Sequence, residues 1–490
     1  MFTALALLLP ILPAAGGNKV ALEAALSAVS AEEIKTDLYF IASDDLEGRD
    51  TPSAGLNTAA SYIRSRLHRL GWQPGAKDGY YYVWQVEKKG LDPDLCHVDF
   101  GGQSFALGKD YFLSGFGLAA ARETSGAVVC LGEAKKEDVE KLELTGKWAL
   151  VLDRAQDFGP LRRDLAKKQV AGMIVLPAPD YSGKPYAERF ASDFAMQKTG
   201  RVSRVRAEDE AKSAEPERPR GIVSVYLAPE AGKALLAAAG VKADALASGM
   251  QLKVEVKETR GLAGKGGRID VQNVCGFWPG SDPTLKNEMI IISAHYDHVG
   301  MEGGVVHNGA DDNGSGTCCL LSLAEAIKQY GPLRRSIFLM WVCGEEKGLW
   351  GSEAWNKNPY LPEGCKPVAD INIDMVGRNA PEKLLITPTE KHKSYSFLTK
   401  VAESFAAEEG FHGPNKGDPP LGSADAYWTR SDHYNFVQAG IPACFLFSDV
   451  HEDYHQPTDD PEKIDYDKIH RAARLVLRML DALQNDKIDG

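Results

Sequence analysis

The chain of 490 residues predicts an α/β fold. Its core would be a mixed, mostly parallel sheet sandwiched by helices, with a smaller α/β domain inserted. Three observations predict this. From Asn273 onward, short apolar runs alternate with helical patterns, as in a sheet covered on both faces. The apolar runs are continuous, as in strands buried on both sides. Four of them lead into clusters of His, Asp and Glu, and open α/β sheets gather functional groups at the carboxyl ends of strands.

At this length the chain exceeds one typical core, so more than one domain is expected. Phe2 to Leu12 is almost wholly apolar, too short to span a bilayer, and followed by Pro-Ala-Ala-Gly-Gly. It is similar to the apolar core of an export signal over residues 1–17, although no Lys or Arg precedes it. Secreted or periplasmic localisation follows from that reading.

Residues 18–118 form the first part of the main domain. Ser30 with Glu33 makes a capping box ahead of a helix carrying Ile34, Leu38 and Ile41. SDDLEGRDTPSAG reads as a polar, turn-rich loop. A second helix spans about Leu56 to Leu70, with Gly71 as its stop. Residues 119–258 form the insert, with strands at Gly126–Leu131, Trp148–Leu152, Met173–Leu176, Ile222–Leu227 and Leu252–Val256. Helices are expected at Pro160–Ala171 and Pro229–Ala239. Asp180 to Arg220 is polar and reads as an exposed loop. Residues 259–490 complete the main domain. Its strands are Met289–Ala294, Ser336–Val342, Ile371–Ile373 and Ala443–Phe447, and its helices Thr317–Tyr330, Ser394–Glu409 and Lys468–Leu483.

Acidic residues outnumber basic ones, 68 to 56, for a net charge of −12. That argues against a nucleic-acid or anionic-membrane partner. The eight cysteines lack paired-ligand spacing, and most read as small buried hydrophobes. GLAGKGG near Gly261 lacks P-loop spacing, and no GxSxG elbow is present.

The chemistry lies after the four strands. The first ends in His295 and Asp297, which would point the same way, so that Asp297 could hold the ring of His295. The loop beyond carries Asp311 and Asp312, and Ser315 could cap the helix that follows. The second strand leads to Glu345-Glu346, the third to Asp374 and the fourth to Tyr454-His455. Two His and several carboxylates converging on one point need cations. A pair of Zn²⁺ ions bridged by a carboxylate and a water would satisfy them. One of the adjacent glutamates could then bind metal and the other act as general base. Each piece alone is unspecific: a lone HxD is usually structural and an EE pair usually surface charge. Their order and placement carry the reading.

SAHYDHVG, NGADDNGSG, CGEEKGLWGSEAW, INIDMVGR, SDHYNFVQAGIPA and DYHQPTDD resemble the co-catalytic zinc exopeptidases, which include secreted bacterial aminopeptidases and glutamate carboxypeptidase, with glutaminyl cyclases as relatives. The resemblance covers roughly 260–484, and LEGRDTPSAG onward resembles the opening of the same domain. The insert resembles a protease-associated domain. The resemblance implies two Zn²⁺ per chain, with His295 on one ion and His455 on the other. Asp312 would be the bridge, Glu346 and Asp374 the remaining ligands, and Glu345 the general base. Tyr454 matches an oxyanion-stabilising Tyr of some members. Asp432-His433 reads as structural support, and His298, His307, His412 and His451 as rim or surface residues. Trp350, Tyr427 and Trp428 could line a substrate pocket. The implied activity is aminopeptidase action on peptides with a free N-terminus, through a metal-bridging hydroxide. Carboxypeptidase, glutaminyl cyclase or a non-catalytic binding protein are the alternatives.

Overall fold

The computed structural model describes residues 19–114, 122–205, 222–263, 267–362, 364–412 and 424–485. The apolar run at Phe2–Leu12 lies outside them. The chain forms two compact units, one of residues 1–84 and 270–490 and the other of residues 85–269. No helix among the described residues is long and apolar enough to cross a membrane.

The first unit is built on a mixed sheet of β1 (Tyr81–Lys89), β2 (Gly267–Trp278), β3 (Glu288–His295), β4 (Ser336–Val342), β5 (Lys366–Asp374), β6 (Leu385–Thr387) and β7 (Ala443–Phe447). Their spatial order is β6-β7-β5-β3-β4-β2-β1. β1 and β2 both run on across the unit boundary. β4, β3, β5 and β7 are parallel neighbours, while β2 and β6 add at the flanks antiparallel. The apolar runs make this sheet because they can be buried on both faces: every residue of β4 and of β7 is buried. Register brings His295 level with Val342, and Asp374 level with Phe447. The parallel strands therefore end along one edge.

Among the described residues eight helices accompany the sheet: α1 (Lys19–Ala28), α2 (Ala31–Ile41), α3 (Ala54–Leu70), α4 (Gly316–Tyr330), α5 (Trp350–Lys357), α6 (Phe397–Ala406), α7 (His433–Gln438) and α8 (Tyr466–Ala482). α2 opens on Ser30, whose Oγ accepts the Glu33 N–H. α3 starts after Ser53 and closes on Gly71 in the left-handed conformation. α4 has almost no exposed face and packs against α1, α3, α8 and β3, so its sequence is apolar all round.

The second unit has its own core beneath a mixed sheet. In spatial order its strands are Gln103–Ala106, His97–Phe100, Gln251–Arg260, Arg122–Cys130, Trp148–Asp153, Gly172–Pro177, Ser224–Leu227 and Tyr111–Ser114. Arg122–Cys130, Trp148–Asp153, Gly172–Pro177 and Ser224–Leu227 run parallel. Three of these strands lie ahead of residue 119, where the sequence places the insert's start. The expected loop from Asp180 is partly regular: helices Tyr186–Arg189 and Ala191–Thr199 and strand Arg201–Arg204 occupy it. Leu91 ties this segment down by donating its N–H to the Gln197 carbonyl. All eight cysteines are free thiols, seven of them buried.

Candidate metal centre

The carboxyl edge of the sheet delivers the residues that the sequence singles out. β3 ends on His295 and β5 on Asp374, and their side chains meet: Nε2 of His295 lies 3.2 Å from Oδ1 of Asp374. The same Nε2 lies 3.3 Å from Oδ1 of Asp312. Asp312 sits in the turn of residues 310–315 before α4, where φ −101° and ψ 97° break the helical path and turn its carboxylate toward β3. Its other oxygen, Oδ2, lies 3.1 Å from Nε2 of His455. That ring is in turn 3.2 Å from Oε2 of Glu346. Asp312 thus stands between two donor sets, His295 with Asp374 and His455 with Glu346.

These separations fit metal ligation. Four ligands around a tetrahedral ion at about 2.0–2.1 Å stand about 3.3 Å from one another. The four contacts above run from 3.1 to 3.3 Å. Nε2 of His455 is buried and has no hydrogen-bond partner among the described residues. Imidazole and carboxylate together form a borderline donor set suited to zinc.

Without a cation the cluster is electrostatically tense. Burial would lower the His295 pKa, but Asp374 and Glu345 outweigh it and hold it well above the usual histidine range. Burial would raise Asp312, yet the rings of His295 and His455 keep it well below the usual carboxylate value. Burial does raise Glu345, and Glu346, Asp374 and Asp432 nearby push it the same way. A cation at each donor set would relieve this crowding.

The supports lie one layer out. Nδ1 of His295 is 3.1 Å from the backbone carbonyl of Asp297 and 3.7 Å from its carboxylate, so the shorter contact is with the backbone. The Asp297 carboxylate instead accepts from Thr51 Oγ1 at 3.0 Å and from the Glu345 N–H at 3.2 Å. It fixes the turn that carries both glutamates. Ser315 does not cap α4: its hydroxyl donates to the Asp311 carbonyl. Asn313 takes that place, its Oδ1 accepting the N–H groups of Gly316 and Met375. The turn is also held from behind by Asp459, whose carboxylate accepts the backbone N–H groups of Asp311 and Asp312.

Of the neighbouring histidines, His298 and His307 are buried, where the sequence suggests a rim or surface, while His451 is half-buried. His298 has no exposed surface, and its Nδ1 lies 2.9 Å from Oε1 of Glu346. With Asp312 and Glu346 it forms a further group of metal-capable donors. His451 faces Asp311 at 3.3 Å, and His307 faces the His455 carbonyl at 3.1 Å. His412 is exposed. Asp432 accepts from Ser352, and His433 donates to the Trp428 carbonyl and stacks on Phe445, which agrees with structural support. The spacing His295-x-Asp297-His298 was the available signal for His298, but a polar residue just past a strand end resembles an ordinary loop residue.

A pocket with about 340 Å³ of open space lies over the cluster. Glu345 lines it beside His295, Asp312 and Asp374, while Met375, Tyr427, Phe445, Phe447 and Val450 provide apolar surface. Tyr454 and Arg430 complete the lining. The Tyr454 ring stacks on His455, with centroids 3.9 Å apart, and its hydroxyl accepts from Arg430 at 3.3 Å. Burial, with Asp312 and Glu346 nearby, pushes the Tyr454 pKa up, so the hydroxyl keeps its proton. Trp428 is buried in the core and Trp350 is not among the lining residues.

Residues 273–480 of the chain match the family model for Peptidase family M28. Its relatives include a probable leucine aminopeptidase of Arthroderma otae, 26% identical over 205 residues, 40% of this chain and 54% of that one. The chain thus spans about half the length of the curated relatives it matches. Among solved structures, the aminopeptidase from Aneurinibacillus sp. strain AM-1 shares the fold with a TM-score of 0.52 and 20% identity, over 94% of this chain and 95% of that one. A zinc aminopeptidase from Bacillus subtilis matches with a TM-score of 0.51 and 18% identity, over 94% and 97%.

Proposed function

We propose that the protein is a zinc-dependent exopeptidase that removes N-terminal residues from peptides. The observation that carries this reading is Asp312 standing between two complete donor sets, with Glu345 left over in the pocket above them. His295, Asp374 and Asp312 would hold one zinc ion, and His455, Glu346 and Asp312 the second. Bound there, the metal would polarise the scissile carbonyl and acidify the attacking water.

The chain's own residues supply the rest. Glu345 takes the proton of the water on its carboxylate and delivers it to the leaving amine. The burial that raises its pKa suits a group that must hold this proton between the two steps. Asp297 sets the Glu345 amide and so fixes the base relative to His295. Tyr454 keeps its hydroxyl proton and can donate it to the developing oxyanion. The apolar lining receives a side chain, and the carboxylates around it attract a free α-amino group. Arg430 is the observation that favours the alternative, carboxypeptidase action, since it could pair with a substrate carboxylate. It is already engaged with Tyr454 and the face of Tyr427. The insert, residues 119–258 in the sequence reading, remains a proposed protease-associated domain.

A panel of N-free and N-blocked aminoacyl substrates tests the reading, together with metal analysis. Cleavage of N-free substrates with two zinc ions per chain is expected. Equal cleavage of N-blocked substrates would remove the aminopeptidase assignment. Glu345→Gln should keep both ions and lower kcat by at least about 10²-fold, the scale of a general base. Loss of metal in that variant would reverse the roles of Glu345 and Glu346.

A further inference from the structure

We infer that His298 is a positioning residue, donating its Nδ1–H to Glu346 so that the other oxygen of that carboxylate is aimed at the ion held with His455 and Asp312. The inference rests on the metal-binding reading above and adds a residue to it. His298 is fully buried and three residues beyond His295. Its Nδ1 lies 2.9 Å from Oε1 of Glu346, an ordinary hydrogen-bond length. A carboxylate can only accept, so the hydrogen is on Nδ1. That nitrogen is then not free to bind metal. Its distance to Asp312 agrees: 3.8 Å, well beyond the 3.1–3.3 Å of the other donor contacts.

The two oxygens of Glu346 are thereby distinguished. Oε1 takes the hydrogen bond, and Oε2 faces His455 at 3.2 Å. The imidazole itself is fixed from below by Gly309, which has φ +57°. A Cβ there would stand 2.4 Å from the His298 ring, so the turn and the ring are fitted to each other. The ring also meets His455 edge-on, with centroids 5.6 Å apart. A hydrogen bond of this kind, one layer behind the ligands, is commonly worth 10- to 100-fold in metal affinity.

The test is a calorimetric titration of Zn²⁺ into the metal-free full chain, with Co²⁺ absorption as a second readout of ligand geometry. Wild type should bind two ions. His298→Leu should weaken one site about 10- to 100-fold and leave the His295–Asp374 site unchanged. His298→Asn carries a donor near the Nδ1 position and should restore most of the loss. An Asn variant as weak as Leu, or two sites unchanged in Leu, overturns the inference. Failure of the wild type to bind two ions, or no loss at either site in Glu346→Ala, overturns the metal reading together with it. Thermal unfolding of each apo variant separates a misfolded chain from a weakened site.

Discussion

Arg49 shows how much one residue can hold in place. Its guanidinium is fully buried and donates to four backbone carbonyls, those of Ile41, Tyr296, Asn308 and Gly309. These lie at the end of α2, beside the metal-cluster strand and in the loop before Asp312. Burial lowers its pKa to about 10, which still leaves it charged at neutral pH. Arg49→Met keeps the volume and removes every donor. It should cost at least about 3 kcal/mol in chemical unfolding, since buried hydrogen bonds from a charged group are each worth about 1.5–3 kcal/mol. In the sequence this residue sits in LEGRDTPSAG and reads as part of a polar loop. Nothing in the local pattern separates an arginine that solvates a turn from one that fills it, because its four acceptors come from positions up to 260 residues away. His295, Asp312, Glu346, Asp374 and His455 are different: each follows an apolar strand or a marked turn, so local pattern and chemistry coincide. Which nitrogen or oxygen meets which partner depends on the backbone turns, and Asp297 and Ser315 illustrate that.

At the scale of elements, strands β4 and β7 have the bounds their apolar runs suggest, and helices move by a few residues. Short strands such as His97–Phe100 carry too few residues to show a period. The segment that presents Tyr454 and His455 has little regular structure, and Asp453 organises it. Its carboxylate binds Lys463 at 2.7 Å, Thr458 at 2.5 Å and Arg378 at 2.9 Å. Burial would raise its pKa, but these three partners hold it below the unfolded value of 3.8. A carboxylate depressed in the folded state contributes stability above its unfolded pKa and loses it as pH falls through the folded one. Melting temperature should therefore drop as pH falls below about 4, and Asp453→Asn should flatten that acid limb while lowering stability at neutral pH. An unchanged limb would mean that other carboxylates govern acid unfolding.

At the scale of the molecule, the second unit begins and ends on strands of the first that are sheet neighbours, β1 and β2. It has its own sheet and hydrophobic clusters. The fragment 85–269 should fold alone with a single cooperative transition by circular dichroism, as expected of a unit of this size with its own core. A non-cooperative, denaturant-insensitive signal would show that it depends on the rest of the chain.

The position of that unit also sets an order of events during synthesis. α1 and α2 pack on α4 and α8, so these two helices find their partners only after residues 316–482 have appeared. At about 5–20 residues per second, hundreds of residues of intervening chain mean tens of seconds of waiting. The second unit can be complete on the ribosome while α1 to α3 still present apolar faces. Helices α1 and α2 are therefore exposed to chaperones and proteases for a long stretch of synthesis, and the edge of the sheet that carries His295, Asp374 and His455 is assembled late.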